Sequence, residues 1–402
     1  MSKDDADPEL RPDRAPTDLH SLRAADPHLD ALSSRIQLDA ASTAAAHSLT
    51  CDDAAVAAVL RGKRFLVTGS AGYIGAALCL ALRHLGAEAV GLDIVSAGRH
   101  GTVDIKADVA DAEAVRAAVE GCHGVLHSAA RHAPHATHFH ATEFVATNVK
   151  GTQNVLDAAV GAGRIPVVYT STTSLTITNR VKSAEAAGRL VWLDETSQSP
   201  SASGKAVGAD DDAPRNKYGR SKLEGERRCV AAAAAGLPCV IVRVSRCFPE
   251  DALPDSVPAA AAELSSANLK ANELLGRRVA LVDVVAGHLL ALAKAFTDPS
   301  VVRGRVFVLC APFPFSRADT PSEAAAFLRL LLEERPEMAD AYARQGWALP
   351  SEVGRVYDSS LAVEVLGWRP RVTFDRLLAA LLRAPAAGGD DLDPEVARAG
   401  RY

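Results

Sequence analysis

RFLVTGSAGYIGAAL, Arg64–Leu78, is a short apolar run that breaks at Gly69 and then resumes. Phe65–Thr68 has the length and composition of a buried strand. Gly69, Gly72 and Gly75 follow at three-residue spacing, with Tyr73 and Ile74 between the last two. Glycines at this spacing permit a tight turn, close approach of a ligand to the backbone, and close packing of a helix on a strand. Amide groups and the positive end of the helix dipole then converge, which suits a pyrophosphate. No Lys-Ser/Thr pair follows the glycines, so this is not the loop of a nucleoside triphosphatase.

Outward from this loop, strand and helix alternate. Ile74–Leu85 reads as a helix packed on a sheet, with Gly86 at its C-terminal cap. Ala89–Leu92, Gly124–His127, Val167–Tyr169 and Cys239–Arg243 read as strands, and Phe144–Val160 and Asn216–Ala235 as helices. Val279–Leu292 and Arg305–Leu309 are read as returning to the sheet. The pattern predicts an α/β fold: a doubly wound parallel (Rossmann) sheet with a smaller mixed α/β C-terminal substrate-binding region. Residues 1–61 form an extension, disordered at first and then Ala-rich with one or two helices. Residues 62–250 are the dinucleotide-binding domain, interrupted by a flexible insertion at 176–216. Residues 251–384 are the substrate region, with a compact WRPRVTF unit at 368–374, and 385–402 a loose tail.

The chain has 402 residues and a net charge of −5. Residues 1–60 carry −6 and the rest +1, so the body has no basic excess for a nucleic-acid surface. The seven cysteines are odd in number and lack a CxxC pair, which points to a reducing compartment, taken as the cytoplasm. No stretch is long and apolar enough to span a bilayer.

Asp93 closes the second strand, 18 residues beyond Gly75. A carboxylate there accepts the ribose hydroxyls of NAD and repels the 2′-phosphate of NADP, so NAD is the expected cofactor. Arg99 leaves room for NADP. Tyr218 and Lys222, in YGRSK, share a helix face. An ammonium beside a phenol favours the phenolate, which predicts a lowered pKa and a general base at Tyr218. The run Thr170–Ser174, at the end of VVYTSTTSL, supplies hydroxyls to hold a reacting oxygen.

With these residues in place, the chain resembles an extended short-chain dehydrogenase/reductase of the NAD-dependent epimerase/dehydratase family. The matching stretches are VTGSAGYIG, ADVAD at 107–111, GVLHSAA at 124–130, TNVKGTQNVLDAA at 147–159, VVYTSTT, YGRSK, VDVVAGHLLAL at 282–292 and LGWRPRVTF at 366–374. They run in family order over about residues 62–380. The resemblance implies Thr172, Tyr218 and Lys222 as the catalytic residues, with Lys222 also on the nicotinamide ribose. It places Asp108 and Val109 beside the adenine, Ala129 along the cofactor cleft, and Asn148 in a supporting helix. It also implies pairing of the 141–162 and 216–235 helices in a homodimer. The chain departs from the family pattern in three places. Leu175 and Thr176 replace a Tyr-Gly pair, the interval from Thr172 to Tyr218 is long, and RVSRCFPED stands at 243–251 where sugar-nucleotide enzymes carry Arg-x-x-x-Tyr-Gly-Pro.

The expected activity is NAD-dependent hydride transfer on a secondary alcohol or ketone of a small molecule, a sugar or nucleotide sugar, ending in epimerisation or in net oxidation. Two alternatives stand beside it: a reductase of a hydrophobic, steroid-like ketone, and a dinucleotide-sensing protein without chemistry. Five histidines between His127 and His140 are open to three readings: metal ligands, a substrate contact, or solvated loop residues. Arg243, Arg246, Arg277 and Arg278 are candidates for a phosphate or carboxylate, or for ordinary ion pairs. Cys247 has no basic partner in sequence that marks it as a nucleophile.

Overall fold

The computed structural model describes residues 53–96, 101–132, 139–198, 213–247 and 266–383. Residues 1–52, Arg99, His135, His138, 199–212, 248–265 and 384–402 lie outside the described residues, and with them most of the expected extension, the middle of the insertion and the tail.

Seven strands form one sheet: β1 Arg64–Thr68, β2 Glu88–Asp93, β3 Ile105–Lys106, β4 Gly124–His127, β5 Val167–Thr172, β7 Cys239–Val244 and β8 Val306–Leu309. Their order is β3-β2-β1-β4-β5-β7-β8, and every pairing is parallel. The central strands are buried along their whole length, as a sheet covered on both faces requires. Helices Ala112–Val119, Gly151–Gly161 and Lys217–Ala234 pack on one face. Tyr73–His84 and Leu281–Thr297 pack on the other. The strand order reverses between β1 and β4, and ligands of such sheets bind at the carboxyl ends beside that reversal. The Ala-rich stretch ends in helix Asp53–Leu60, which packs on Leu281–Thr297 and buries Val56 and Leu60.

The structure corrects two expectations. Val279–Leu292 does not return to the sheet; it is most of the helix Leu281–Thr297. Thirteen of that helix's seventeen residues are buried, so its sequence is apolar all round and its period is lost. Part of the supposed flexible insertion is also ordered. Thr173–Thr176 is a 3-10 turn, Asn179–Ala186 is a helix, and β6 Val191–Leu193 pairs in parallel with β9 Arg355–Tyr357. This small second sheet leans on a separate core that includes Phe327, Leu331, Met338, Tyr342, Val356 and Leu377. The WRPRVTF unit is pinned by one buried carboxylate. Asp283 accepts N–H bonds from Arg371 (2.6 Å) and Val372 (3.0 Å), and its own carbonyl accepts the Trp368 indole N–H (2.8 Å).

Candidate active site

The glycine loop is built by contacts that no side chain allows. Gly69 has φ +70°, and a Cβ there would stand 2.8 Å from the Ala129 backbone. A Cβ at Gly75 would stand 2.1 Å from the Gly69 carbonyl oxygen. Gly72 caps helix Tyr73–His84 without a side-chain bond, and the first turn holds no acidic residue. The leading amides of that helix therefore remain available to an anion. Tyr73 is buried and Ile74 half-buried behind the loop.

Asp93 ends β2 beside this turn. Its Oδ2 accepts the Ala71 N–H (2.9 Å) and its Oδ1 the Val95 N–H (3.3 Å). Burial raises its carboxyl pKa, and these backbone bonds oppose the rise. Ala129 is half-buried opposite Gly69, its N–H on Thr68 Oγ1 (3.2 Å). Asp108 is half-buried and accepts the Ala110 N–H (2.8 Å), while Val109 is buried against Gly151. A backbone cradle closed to side chains, with a carboxylate at its rim, fits the diphosphate and ribose of a dinucleotide.

Thr172 is the last residue of β5, and Tyr218 lies in the first turn of Lys217–Ala234. Asn216 caps that helix by accepting the Gly219 N–H (2.7 Å). The Tyr218 hydroxyl faces the Thr172 side chain. The expected acidification of Tyr218 by Lys222 is not found. Burial pushes the phenol up to about 12, and the Thr172 side chain offsets this only in part. The Lys222 ammonium is engaged elsewhere. It donates to the Thr170 carbonyl at 2.6 Å and stands 3.9 Å from the centre of the Tyr169 ring. Burial pushes Lys222 down to about 7, against the opposing pull of Cys229 and Glu226.

Asn148 ties this pair to the opposite wall. A π-helical turn, Val145–Lys150, interrupts the run between Ala141–Phe144 and Gly151–Gly161. Such a bulge shifts the phase of the helix and often marks a functional position. Asn148 sits in it. Its Oδ1 accepts the Arg131 N–H (2.7 Å), and its Nδ2 donates to the Arg131 carbonyl (3.0 Å) and Ser221 Oγ (2.9 Å). The exposed His132, next in chain, sets its ring edge-on to Tyr218 at 4.9 Å.

Of the other candidates, Arg243 is not a ligand arginine. It is fully buried and forks onto Glu226 (Nε–Oε1 2.9 Å, Nη2–Oε2 2.8 Å). Its remaining N–H groups bond the carbonyls of Glu195, Ser197 and Gln198. Arg246 pairs with Glu273 (2.7 Å). His127 is a core histidine between Thr68 Oγ1 (2.7 Å) and Thr152 Oγ1 (3.1 Å), held neutral by burial and pushed down to about 3. Among the described residues no cluster of His, Cys, Asp and Glu is disposed to hold a metal. Sequence reasoning missed Tyr169 and Glu226. The signal for Glu226 was present: one arginine inside the apolar run CVIVRV, and a glutamate one turn beyond Lys222.

Comparison with known proteins agrees with this geometry. A 2-alkyl-3-oxoalkanoate reductase of Stenotrophomonas maltophilia is 32% identical over 192 residues, which is 45% of this chain and 49% of that protein. The chain thus spans about half the length of this curated relative. A short-chain dehydrogenase/reductase superfamily protein of Agrobacterium tumefaciens, crystallised with NAD, superposes with a TM-score of 0.53 at 26% identity, over 79% of this chain and 95% of that one. A UDP-glucose-4-epimerase of Stenotrophomonas maltophila shares the fold, with a TM-score of 0.52 at 20% identity over 78% and 94% of the two chains. The model of the NAD dependent epimerase/dehydratase family matches residues 65–309, well over half of the chain. Glycine cradle, strand order, hydroxyl pair and family match converge, and the chain belongs to the NAD dependent epimerase/dehydratase family.

Proposed function

We propose that this protein is an NAD-dependent oxidoreductase or epimerase acting on a secondary alcohol or ketone of a small molecule, a sugar or nucleotide sugar. The observation that carries this reading is the Thr172–Tyr218 hydroxyl pair at the carboxyl end of β5, with Lys222 one turn along the same helix. When bound, NAD supplies the acceptor and donor of hydride. Gly69, Gly72, Tyr73, Ile74 and Gly75 would hold its diphosphate, and Asp93 its adenosine ribose. Asp108, Val109 and Ala129 would lie along the adenine and the cleft, and Lys222 on the second ribose. Thr172 holds the substrate oxygen. Tyr218 takes the hydroxyl proton as the alcohol is oxidised and returns it when the carbonyl is reduced. Because burial holds Tyr218 near 12 even with the Thr172 side chain opposing it, its activation as a base depends on positive charge brought to the site. A carbonyl product reduced on its other face gives epimerisation; one that departs gives oxidation.

A second reading, reduction of an apolar hydroxy or keto compound, is favoured by the half-buried aromatic group Trp192, Phe313 and Phe315 and by the resemblance to a 2-alkyl-3-oxoalkanoate reductase. We also assign coenzyme binding to 62–250 and substrate binding to 251–384. A homodimer through helices 141–162 and 216–235 belongs to the same reading, supported by the exposed Val145 and Val160. So does a cytoplasmic setting, supported by the free thiols of six described cysteines. Among the described residues no helix is long and apolar enough to cross a membrane.

The test is a panel of sugars, nucleotide sugars and apolar ketones, read by NADH absorbance and product analysis, with Tyr218→Phe as the control. Tyr218→Phe should lower turnover by about 10²–10⁴-fold with NADH affinity nearly unchanged. Unchanged turnover would reject the mechanism, and turnover of apolar ketones alone would select the second reading.

A further inference from the structure

Lys222 is held without a counter-ion among the described residues. It is 2% exposed and forms no ion pair among the described residues. The glutamate one turn further on its helix, Glu226, is committed to Arg243 and to Ser171 Oγ (2.6 Å). What Lys222 does have is one carbonyl, that of Thr170, and one aromatic face, that of Tyr169. An ammonium over a ring face is attracted by the ring quadrupole, and more strongly when both are out of water.

Tyr169 is shaped for that task and for little else. It is fully exposed to protein and not at all to solvent, three residues before Thr172 on β5. Its ring is steadied by the His127 ring at 5.6 Å. Its hydroxyl end reaches helix Lys217–Ala234 at Gly225, where a Cβ would stand only 2.2 Å from the oxygen. Glycine at 225, three residues beyond Lys222, makes the room that lets the ring slide under the amine. The hydroxyl itself makes no hydrogen bond of good geometry. Thr152, which lies toward it, already donates to the Asn148 carbonyl (2.7 Å) and meets His127. A buried phenol oxygen without a good partner costs stability. The residue is therefore explained by its ring and not by its hydroxyl.

We propose that Tyr169 is a positioning residue for Lys222: its ring face fixes the ammonium beside Thr170 and favours the charged form. The proposal rests on Lys222 being the amine of the proposed site. The charged and titratable groups around that amine are few. His127 on β4 is neutral, Cys229 and Glu226 on its own helix favour the cation, and Glu226 is itself neutralised by Arg243 of β7. Desolvation opposes the cation, so removal of the ring leaves the amine easier to deprotonate.

The experiment is NMR of the full chain carrying isotope-labelled lysine, with the Lys222 signals assigned by their loss in Lys222→Met. Ring-current shielding should carry the Lys222 ε-methylene signals upfield of those of surface lysines. Tyr169→Phe should keep both that shift and the titration midpoint. Tyr169→Leu should lose the shift and lower the midpoint by about one pKa unit. A wild-type Lys222 signal among the surface lysines would overturn the proposal, and so would an unchanged midpoint in folded Tyr169→Leu. The wild-type spectrum needs no variant, so it decides even if Tyr169→Leu fails to fold. The measurement needs no turnover, so loss of the proposed activity and loss of this contact are read separately.

Discussion

The two flanks of the main sheet are held by opposite means. On the β1–β2 side the loop Gly69–Gly75 is fixed mainly by backbone: Gly69 N–H on the Leu92 carbonyl (2.8 Å), Gly72 N–H on Gly69 (3.0 Å), and space that only glycine leaves, with the Asp93 and Thr102 side chains on Ala71 and Ser70. On the β7–β8 side, buried charges do the holding. Arg243 gathers the helix Lys217–Ala234, through Glu226, and the turn 195–198 onto one guanidinium. Glu195 closes the β8 edge by accepting the Val308 N–H (2.9 Å), and Asp283 pins residues 371–372. The backbone-built flank stays open to an incoming anion, because the first turn of helix Tyr73–His84 has no side-chain cap and no acidic residue. The Arg243–Glu226 hub of the charge-built flank is satisfied internally and acts as a frame.

The largest test of this contrast is Arg243→Met, which strands the Glu226 carboxylate in the core. It should cost about 3–5 kcal/mol in urea denaturation, and Arg243→Met with Glu226→Leu should recover much of it. A loss below about 1 kcal/mol in the single variant would show that the hub is not the frame. Next comes Asp283, fully buried and pushed up to about 7 by desolvation, against the Arg371 and Val372 N–H bonds. A raised folded pKa adds stability at low pH that fades as pH climbs from about 4 through about 7. Wild-type stability relative to Asp283→Asn should therefore fall by roughly 2–4 kcal/mol from pH 4 to 8. A pH-independent difference would reject the assignment.

On the glycine flank the effects should fall on binding. Gly75→Ala drives a methyl into the Gly69 carbonyl, a strain of about 1–3 kcal/mol. We expect NADH affinity, read by fluorescence titration, to drop about tenfold or more, with the melting temperature lowered by only a few degrees. The reverse pattern would erase the distinction between the flanks. The smallest effect belongs to Asp93→Ser, which should narrow the preference for NAD over NADP by about tenfold. An unaltered ratio would remove Asp93 from the ribose site.

Legibility follows the same division. Gly69, Gly72 and Gly75 fall in one turn and the helix start that follows it, and Tyr218 and Lys222 in one helix, so spacing alone places each set together. The residues alone marked the hydroxyl run Thr170–Ser174, and the family resemblance singled out Thr172 within it. The Tyr169–Lys222 contact spans a strand and a helix 53 positions apart, and nothing local in either announces it. Leu281–Thr297 was misread because burial on almost every face removes the helical period. The strand Val191–Leu193 was hidden in a polar stretch because its partner, Arg355–Tyr357, lies far along the chain.

By itself the sequence determined the parallel sheet, the glycine turn and the one-turn spacing of phenol and amine, because each is a short-range consequence of period and side-chain size. Tertiary structure alone decided how those groups are charged and aimed. Desolvation lifts Tyr218, lowers Lys222 and turns the amine toward Thr170 and the Tyr169 ring, and desolvation depends on what distant segments lay over a residue.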